Sequence, residues 1–492
     1  MLKRVIGSSV LLVARSFILK FIGMLSTLVL ARVLMPEDFG LVAMAMLVVA
    51  FIEVFGNTGA GQYVMRAHEV DDDLLESVWT LGLIFRIAMA SSLLLLSPLI
   101  SDAYNEPKLS ALLWAFAGLM LLQGLHNSPG SLLLRREQRF EKIVKVDVIG
   151  KVVSAAAAVT VAVIYESYWA LVVGKCVSML VNVVGGYLIH PARPAWNTSR
   201  IREIFGFSSW ILLQAMFGYL RVQFDTLLVS MTFGNTQLGS FHTMKYLAFI
   251  PHSQILLPAT TPLLREFSKS RDNSGYFAFQ HNLAFIVGAC IALSITTMMT
   301  LGNQQLIEVF LGSKWVDFTD LFFWFCLLIP ALFMFNHATR VCIVFGRSRL
   351  TFQYEVFAMA FIFIPILLYG IDDVSKFTRL RVSLEVVASC IFFVYTAVRF
   401  TSITNLAHLV WCLTPLFIAC ATAGYGALAF NNWEHPFVFL ASFGVTFAAI
   451  FALTLAGLIK LHWKQTREWA YLLNKSYAAL SLAREKVMRR FS

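Results

Sequence analysis

Apolar runs of about twenty residues, each broken by a short polar stretch, fill the chain from its first residues to near its last. Runs of that length match the hydrocarbon thickness of a bilayer and exceed what a half-buried strand or surface helix requires. Windows of this kind predict about 14 membrane helices. They lie near 8–33, 39–56, 77–100, 109–133, 143–164, 168–190, 206–231, 236–258, 278–302, 318–345, 351–371, 383–402, 404–429 and 437–460. The first run is too long for a cleaved leader and has no small-residue cleavage site, so it is read as a span. The breaks between runs are short, and no inserted soluble domain is expected. The pattern therefore predicts an all-α polytopic membrane protein with a tail at 461–492.

A repeat divides this series. At an offset of 199 residues, LARVLMPEDFG (30–40) stands over VSMTFGNTQLG (229–239), so that Ala31 and Gly40 match Ser230 and Gly239. Continued without a gap, the same offset sets Arg66 over Arg265. The expected architecture is two pseudo-symmetric six-helix lobes, 1–190 and 206–402, with a cytoplasmic linker at 191–205. Two further helices span 403–460, and 461–492 is a basic cytoplasmic tail. Internal repeats of like orientation are a transporter plan, with the site near mid-membrane between them.

Composition agrees. Hydrophobic residues make up 58% of the chain and charged residues 14%, against about 25% charged in soluble domains. Mean hydropathy is +0.73. The 7 cysteines fall in apolar segments and read as small hydrophobes, with neither a disulfide framework nor metal-ligand spacing. A net charge of +11 raises the question of nucleic acid, but the bases lie in alternate loops. With the N-terminus inside, the inner segments carry about four times as many Lys and Arg as the outer loops, which places both ends in the cytoplasm. The acidic run Asp71–Asp73 is the one stretch that sits poorly with this assignment. The tail sets Trp463, Trp469, Leu472, Leu473, Leu480 and Leu482 among bases. It is read either as an amphipathic helix on anionic lipid or as a solvated helix.

Charge at membrane depth is the informative departure. Arg15, Lys20, Glu53, Arg86, Asp147, Lys151, Lys175, Arg221, Asp225 and Lys245 all fall within predicted spans, and all belong to the first eight. A central Lys or Arg costs roughly 2.5–3.5 kcal/mol on insertion scales. Asp147 and Lys151, and likewise Arg221 and Asp225, are spaced i,i+4 and can neutralise each other on one helix. Arg15 and Lys175 can reach an interface. Lys20, Arg86 and Lys245 have no acid at helical spacing. Bases outnumber acids seven to three, which favours a strongly charged anion such as phosphate in a cationic cavity. The candidate binding residues are Arg15, Lys20, Arg86, Arg221 and Lys245, and Glu53, Asp147 and Asp225 are candidates for cation coupling. There is no Walker A pattern, no HExxH and no Cys/His metal cluster, so neither an enzyme nor a cofactor is expected. His126, His242, His252, His281 and His337 are scattered and read as structural.

Several stretches also carry a family resemblance. LVLARVLMPEDFGLVAMAMLVVAFIEVFGNTGAGQYVMR (28–66) resembles the start of Wzx-type polysaccharide flippases, in particular the WzxC-like group. RREQRFEKI (135–143), FDTLLVSMTFGNTQLGSFHTMKYLAFIP (224–251) and VFLGSKW (309–315) extend the likeness, which covers roughly 5–460. The resemblance implies a 12–14-helix protein of the MOP superfamily in the bacterial inner membrane. It implies that undecaprenyl-pyrophosphate-linked oligosaccharide is turned from the cytoplasmic to the periplasmic leaflet by alternating access. The implied partners are that lipid, the surrounding membrane lipids, and a polysaccharide polymerase with its export machinery. Related flippases carry bases where Arg15 and Lys20 stand. A lipid II flippase and a MATE-like exporter of the same fold remain open. A membrane polymerase would need a large outer loop, and none is evident.

Overall fold

The computed structural model describes residues 2–55, 64, 71–126, 129–137, 139–202, 219, 222–260, 263–369, 372–430, 435–462, 466–472 and 474. Among these residues the regular structure is helical, with no strand. In chain order the helices are α1 (Leu2–Val33), α2 (Pro36–Phe55), α3 (Asp72–Ala103), α4 (Pro107–His126), α5 (Pro129–Arg136), α6 (Phe140–Tyr165) and α7 (Trp169–Leu188). After a helical stretch at 222–232 come α8 (Asn235–Pro251), α9 (Leu257–Thr260), α10 (Leu263–Ser270), α11 (Ser274–Leu301) and α12 (Asn303–Phe310). The series ends with α13 (Thr319–Cys326), α14 (Leu328–Val344), α15 (Ser348–Tyr369), α16 (Val374–Phe400), α17 (Ile403–Ala429) and α18 (Pro436–His462).

Among the described residues 12 helical segments are long and apolar enough to cross a membrane, and the chain is a multi-pass membrane protein. Two expected spans fall outside that count. The one at 206–231 lies largely outside the described residues. The one at 236–258 is broken, because α8 ends at Pro251 and gives way to a π turn over His252–Leu256 before α9 begins. Proline lacks the N–H that would continue the ladder. The expected span at 318–345 is likewise divided at Leu327 between α13 and α14. Helix starts follow side-chain chemistry. Asp71, Asn273, Asp373 and Ser402 each accept the backbone N–H three residues on, capping α3, α11, α16 and α17.

The chain forms two compact units, Met1–Thr243 with Phe310–Lys314, and Met244–Val309 with Trp315–Ser492. In the first, α1 packs on α6, α6 on α7, α7 on α4, and α4 on α3 and α2. Within the expected linker 191–205, the described residues 191–202 place polar groups against α3. Asn197 donates to Asp73 at 2.8 Å and Arg200 pairs with Asp71 at 2.9 Å. The acidic run Asp71–Asp73 thus has both a capping role and basic and amide neighbours.

The repeated stretches meet in this unit. A methyl group added to Gly40 would overlap the Asn235 carbonyl, and one added to Gly239 would overlap the Pro36 carbonyl. Each glycine therefore admits the first turn of the other's helix, a reciprocal contact of the kind a two-fold relation generates. Thr236 donates to Glu37, its own counterpart at the 199-residue offset, at 3.2 Å. Tyr104 and Ser230 share a hydrogen bond of 3.2 Å, and Asn235 donates to Glu106. Lys314 donates to the Val33 carbonyl at 3.1 Å. Three of the motif stretches separated in sequence are therefore one structural cluster.

In the second unit α17 packs on α18 and on α11, and α14 packs on α16. Its interior is aromatic. His281 and His337 lie 4.7 Å apart between ring centroids, and Phe285 stacks on Phe393 at 4.3 Å. Both histidines are buried, which agrees with a structural role.

Candidate functional site

The described membrane-depth charges of the first unit are drawn from α1, α2, α3, α6, α7 and the helical stretch at 222–232. Arg15 of α1 donates through Nε to Asp147 Oδ2 of α6 at 2.7 Å. Asp147 therefore pairs across helices, and not with Lys151 one turn along its own helix as i,i+4 spacing suggests. Further along the same seam, Gly23 of α1 faces Lys151. A Cβ there would lie 3.2 Å from the Lys151 Cε and 3.3 Å from its Nζ. The absence of a side chain on Gly23 leaves the room that the ammonium occupies.

Arg86 of α3 donates to Glu53 Oε1 of α2 at 3.3 Å and to Gln123 Oε1 of α4 at 2.6 Å. Gly124, next along α4, lies against the Arg86 stem, where a Cβ would be 3.3 Å from that of Arg86. The guanidinium is thus shared between a charged and a neutral acceptor. This satisfies two of its five donors and ties three helices together. Lys175 of α7 lies 5.2 Å over the Phe116 ring and within electrostatic reach of both Glu53 and Lys151. Lys20 is exposed and makes no hydrogen bond or ion pair among the described residues.

The outcome for the candidate residues is uneven. Arg15 and Asp147 come together, as do Arg86 and Glu53. Asp225 is buried and accepts from the Thr226 amide at 2.7 Å and the Thr226 hydroxyl at 3.1 Å. Lys245 is half-buried on α8 and belongs to the second unit. Arg221 lies outside the described residues. Sequence reasoning counted Lys151 and Lys175 among the deep charges but did not place them at the site, and it passed over Gln123. The available signal was a glutamine within an apolar span, whose amide needs a partner at that depth.

Two acids, each in contact with an arginine, leave Lys20, Lys151 and Lys175 without a carboxylate in salt-bridge contact among the described residues. In a low dielectric such a surplus attracts an anion strongly, and ammonium groups bind phosphate oxygens as point charges.

A family model described as "Polysaccharide biosynthesis protein" matches residues 29–320. The lipopolysaccharide biosynthesis protein WzxC of Escherichia coli (strain K12) is 22% identical over 358 residues, 71% of each chain. The succinoglycan biosynthesis transport protein ExoT of Rhizobium meliloti (strain 1021) is 26% identical over 319 residues, 63% of each chain. Among solved structures, the lipid II flippase MurJ in an inward closed conformation superposes with a TM-score of 0.72 at 11% identity. The match covers 91% of this chain and 98% of that one. An inward-facing MATE family multidrug resistance transporter of the MOP superfamily gives 0.55 at 14% identity, over 79% and 98%. At these identities the structural matches establish a shared fold.

Proposed function

Because the chain belongs to the polysaccharide biosynthesis protein family, we propose that it turns an undecaprenyl-pyrophosphate-linked oligosaccharide from the cytoplasmic to the periplasmic leaflet of the bacterial inner membrane. The Wzx-type resemblance read from residues 28–66 is borne out by that family and by relatives named for lipopolysaccharide and succinoglycan biosynthesis. The observation that carries the substrate reading is the surplus of cations at membrane depth in the first unit. Lys20, Lys151 and Lys175 hold the pyrophosphate. Arg15 and Arg86, already engaged by Asp147 and Glu53, set the frame of the site. Arg221 and Lys245, on the seventh and eighth spans, are further candidate bases. Glu53, Asp147 and Asp225 are the groups through which a cation could be coupled to the cycle.

An unaided lipid of this kind does not cross, because its charged, hydroxyl-rich headgroup would lose its water in the hydrocarbon. Basic residues in a wet cavity replace that hydration while the polyprenyl chain stays in lipid. Outward movement of negative charge down a potential negative inside releases about 2.3 kcal/mol per charge per 100 mV. The cycle is alternating access, in which the contact between the two repeat starts parts and reforms. A MATE-like exporter of cations is disfavoured by the same charge surplus.

The test is export in a strain lacking the gene. Lys20→Ala is expected to abolish surface polysaccharide while the protein remains in the membrane at its normal level. Lys20→Arg is expected to keep part of the activity, since the charge is retained with altered geometry. Wild-type export by a normally expressed Lys20→Ala would remove Lys20 from the site. Rescue of a strain lacking its lipid II flippase, without rescue of polysaccharide export, would shift the substrate to lipid II.

A further inference from the structure

Of the expected tail 461–492, residues 463–465, 473 and 475–492 lie outside the described residues, and the stretch 466–472 packs into the protein. Thr466, Glu468 and Trp469 are buried, with Glu468 and Trp469 each 3% exposed. Trp469 donates its indole N–H to the Cys412 carbonyl at 3.0 Å. A glutamate so enclosed needs compensation. Glu468 Oε2 lies 3.0 Å from His408 Nε2 and 3.9 Å from Cys412 Sγ, and the sulfur and the imidazole nitrogen are 3.5 Å apart. The other carboxylate oxygen accepts from the Asn282 amide at 3.3 Å. Asn282 is itself locked to Asn405 by two reciprocal amide bonds of 2.9 and 3.0 Å.

We propose that His408, Cys412 and Glu468 form a zinc site that fastens residues 466–472 to α11 and α17. His408 and Cys412 stand at i and i+4 on α17, one above the other on a single face. That is the spacing by which the two histidines of an H-E-x-x-H helix reach one metal. Imidazole, thiolate and carboxylate are zinc donors, and a sulfur ligand disfavours magnesium and calcium. Zinc bonds of about 2.0–2.3 Å in a tetrahedron need ligand atoms roughly 3.3–3.7 Å apart. The three separations of 3.0, 3.5 and 3.9 Å bracket that range, so a few tenths of an ångström of side-chain adjustment suffices. A plain His–Glu ion pair would account for the first of them and leave the thiol at the third corner unexplained.

The surroundings suit a metal. Asn282 orients the carboxylate by one oxygen and leaves the other for the ion, as supporting hydrogen bonds around metal ligands do. The glutamate is enclosed, whereas the His408 side chain is 37% exposed, which gives an access path and a fourth position for water. All three ligands and both asparagines belong to the second unit. None is part of the charged cluster in the first, so the site is a clamp for residues 466–472, separate from substrate binding.

The experiment uses the full chain in detergent, stripped with EDTA and then given Zn²⁺ or Co²⁺ alone. One zinc per chain is expected to survive desalting. Cobalt is expected to give the intense visible bands of a tetrahedral ion together with a thiolate charge-transfer band. Cys412→Ser should lose that band, and His408→Ala should weaken zinc binding by about 10-fold or more. A measurement on the unsubstituted chain guards against misfolded variants, namely site-resolved alkylation of Cys412 with and without zinc. Zinc should slow Cys412 modification and leave the rates of the other cysteines unchanged. Zinc retained no better than by Cys412→Ser, or alkylation of Cys412 indifferent to zinc, would overturn the site.

Discussion

Arg15 shows how much a single side chain can conceal in a membrane protein. It stands in α1 with no acid at helical spacing, and its partner Asp147 is 132 residues away on α6. Removing one member of such a pair leaves the other charge unmet, which costs more than the pair itself contributes. Asp147→Ala is therefore expected to lower the yield of monodisperse protein and its thermal midpoint. Arg15→Ala combined with Asp147→Ala should recover much of the loss. Strictly additive losses in this double-mutant cycle would mean that the pair does not couple. The existence and depth of these charges were legible in the sequence, because hydropathy fixes both. Their partners were not. Spacing reports neighbours on one helix, and it paired Asp147 with Lys151, whereas packing of α1 on α6 brings Arg15 closer. Arg86, Glu53 and Gln123 repeat the lesson across three helices. The zinc ligands do so again, because Glu468 lies 60 residues from His408 and only the return of residues 466–472 joins them.

At the scale of elements, the 199-residue repeat has a physical consequence that residue matching alone does not convey. The matched glycines are points of close approach between α2 and α8, each fitted to the other's first turn. A Cβ at either position meets backbone, which cannot rotate away. Gly40→Ala and Gly239→Ala are each expected to destabilise by about 1–3 kcal/mol or more, visible as a lower thermal midpoint in detergent and reduced export. Gly118→Ala in α4 is the control. Nothing lies within 4 Å of its would-be Cβ, and alanine is the better helix former. Equal behaviour of all three variants would deny the crossing its importance. Helix positions were legible because apolar length and caps determine them. The broken eighth span was less so. Pro251 and Pro258 were visible, but whether a proline bends or ends a helix depends on what packs around it.

Across the whole molecule, direction of transport depends on orientation, and orientation rests on the loops. The positive-inside bias places Ser199 and Asp272 in the cytoplasm, and Lys108 and Lys376 outside. The structure adds that these are usable positions, since all four residues are exposed. The bias has a physical origin in the membrane potential and the anionic inner leaflet, which both hold Lys and Arg back from translocation. If it holds, the joined starts of α2 and α8 lie toward the periplasm. The cations of α1, α6 and α7 then lie inward of that contact, open to a substrate made in the cytoplasm. A membrane-impermeant thiol reagent applied to intact spheroplasts should modify Lys108→Cys and Lys376→Cys above the signal of the unsubstituted chain. Ser199→Cys and Asp272→Cys should react only after the membrane is opened. The reverse pattern would put the contact between the repeats on the cytoplasmic side. The cationic cluster could then receive substrate only from the periplasmic leaflet, and outward flipping by this chain would be untenable.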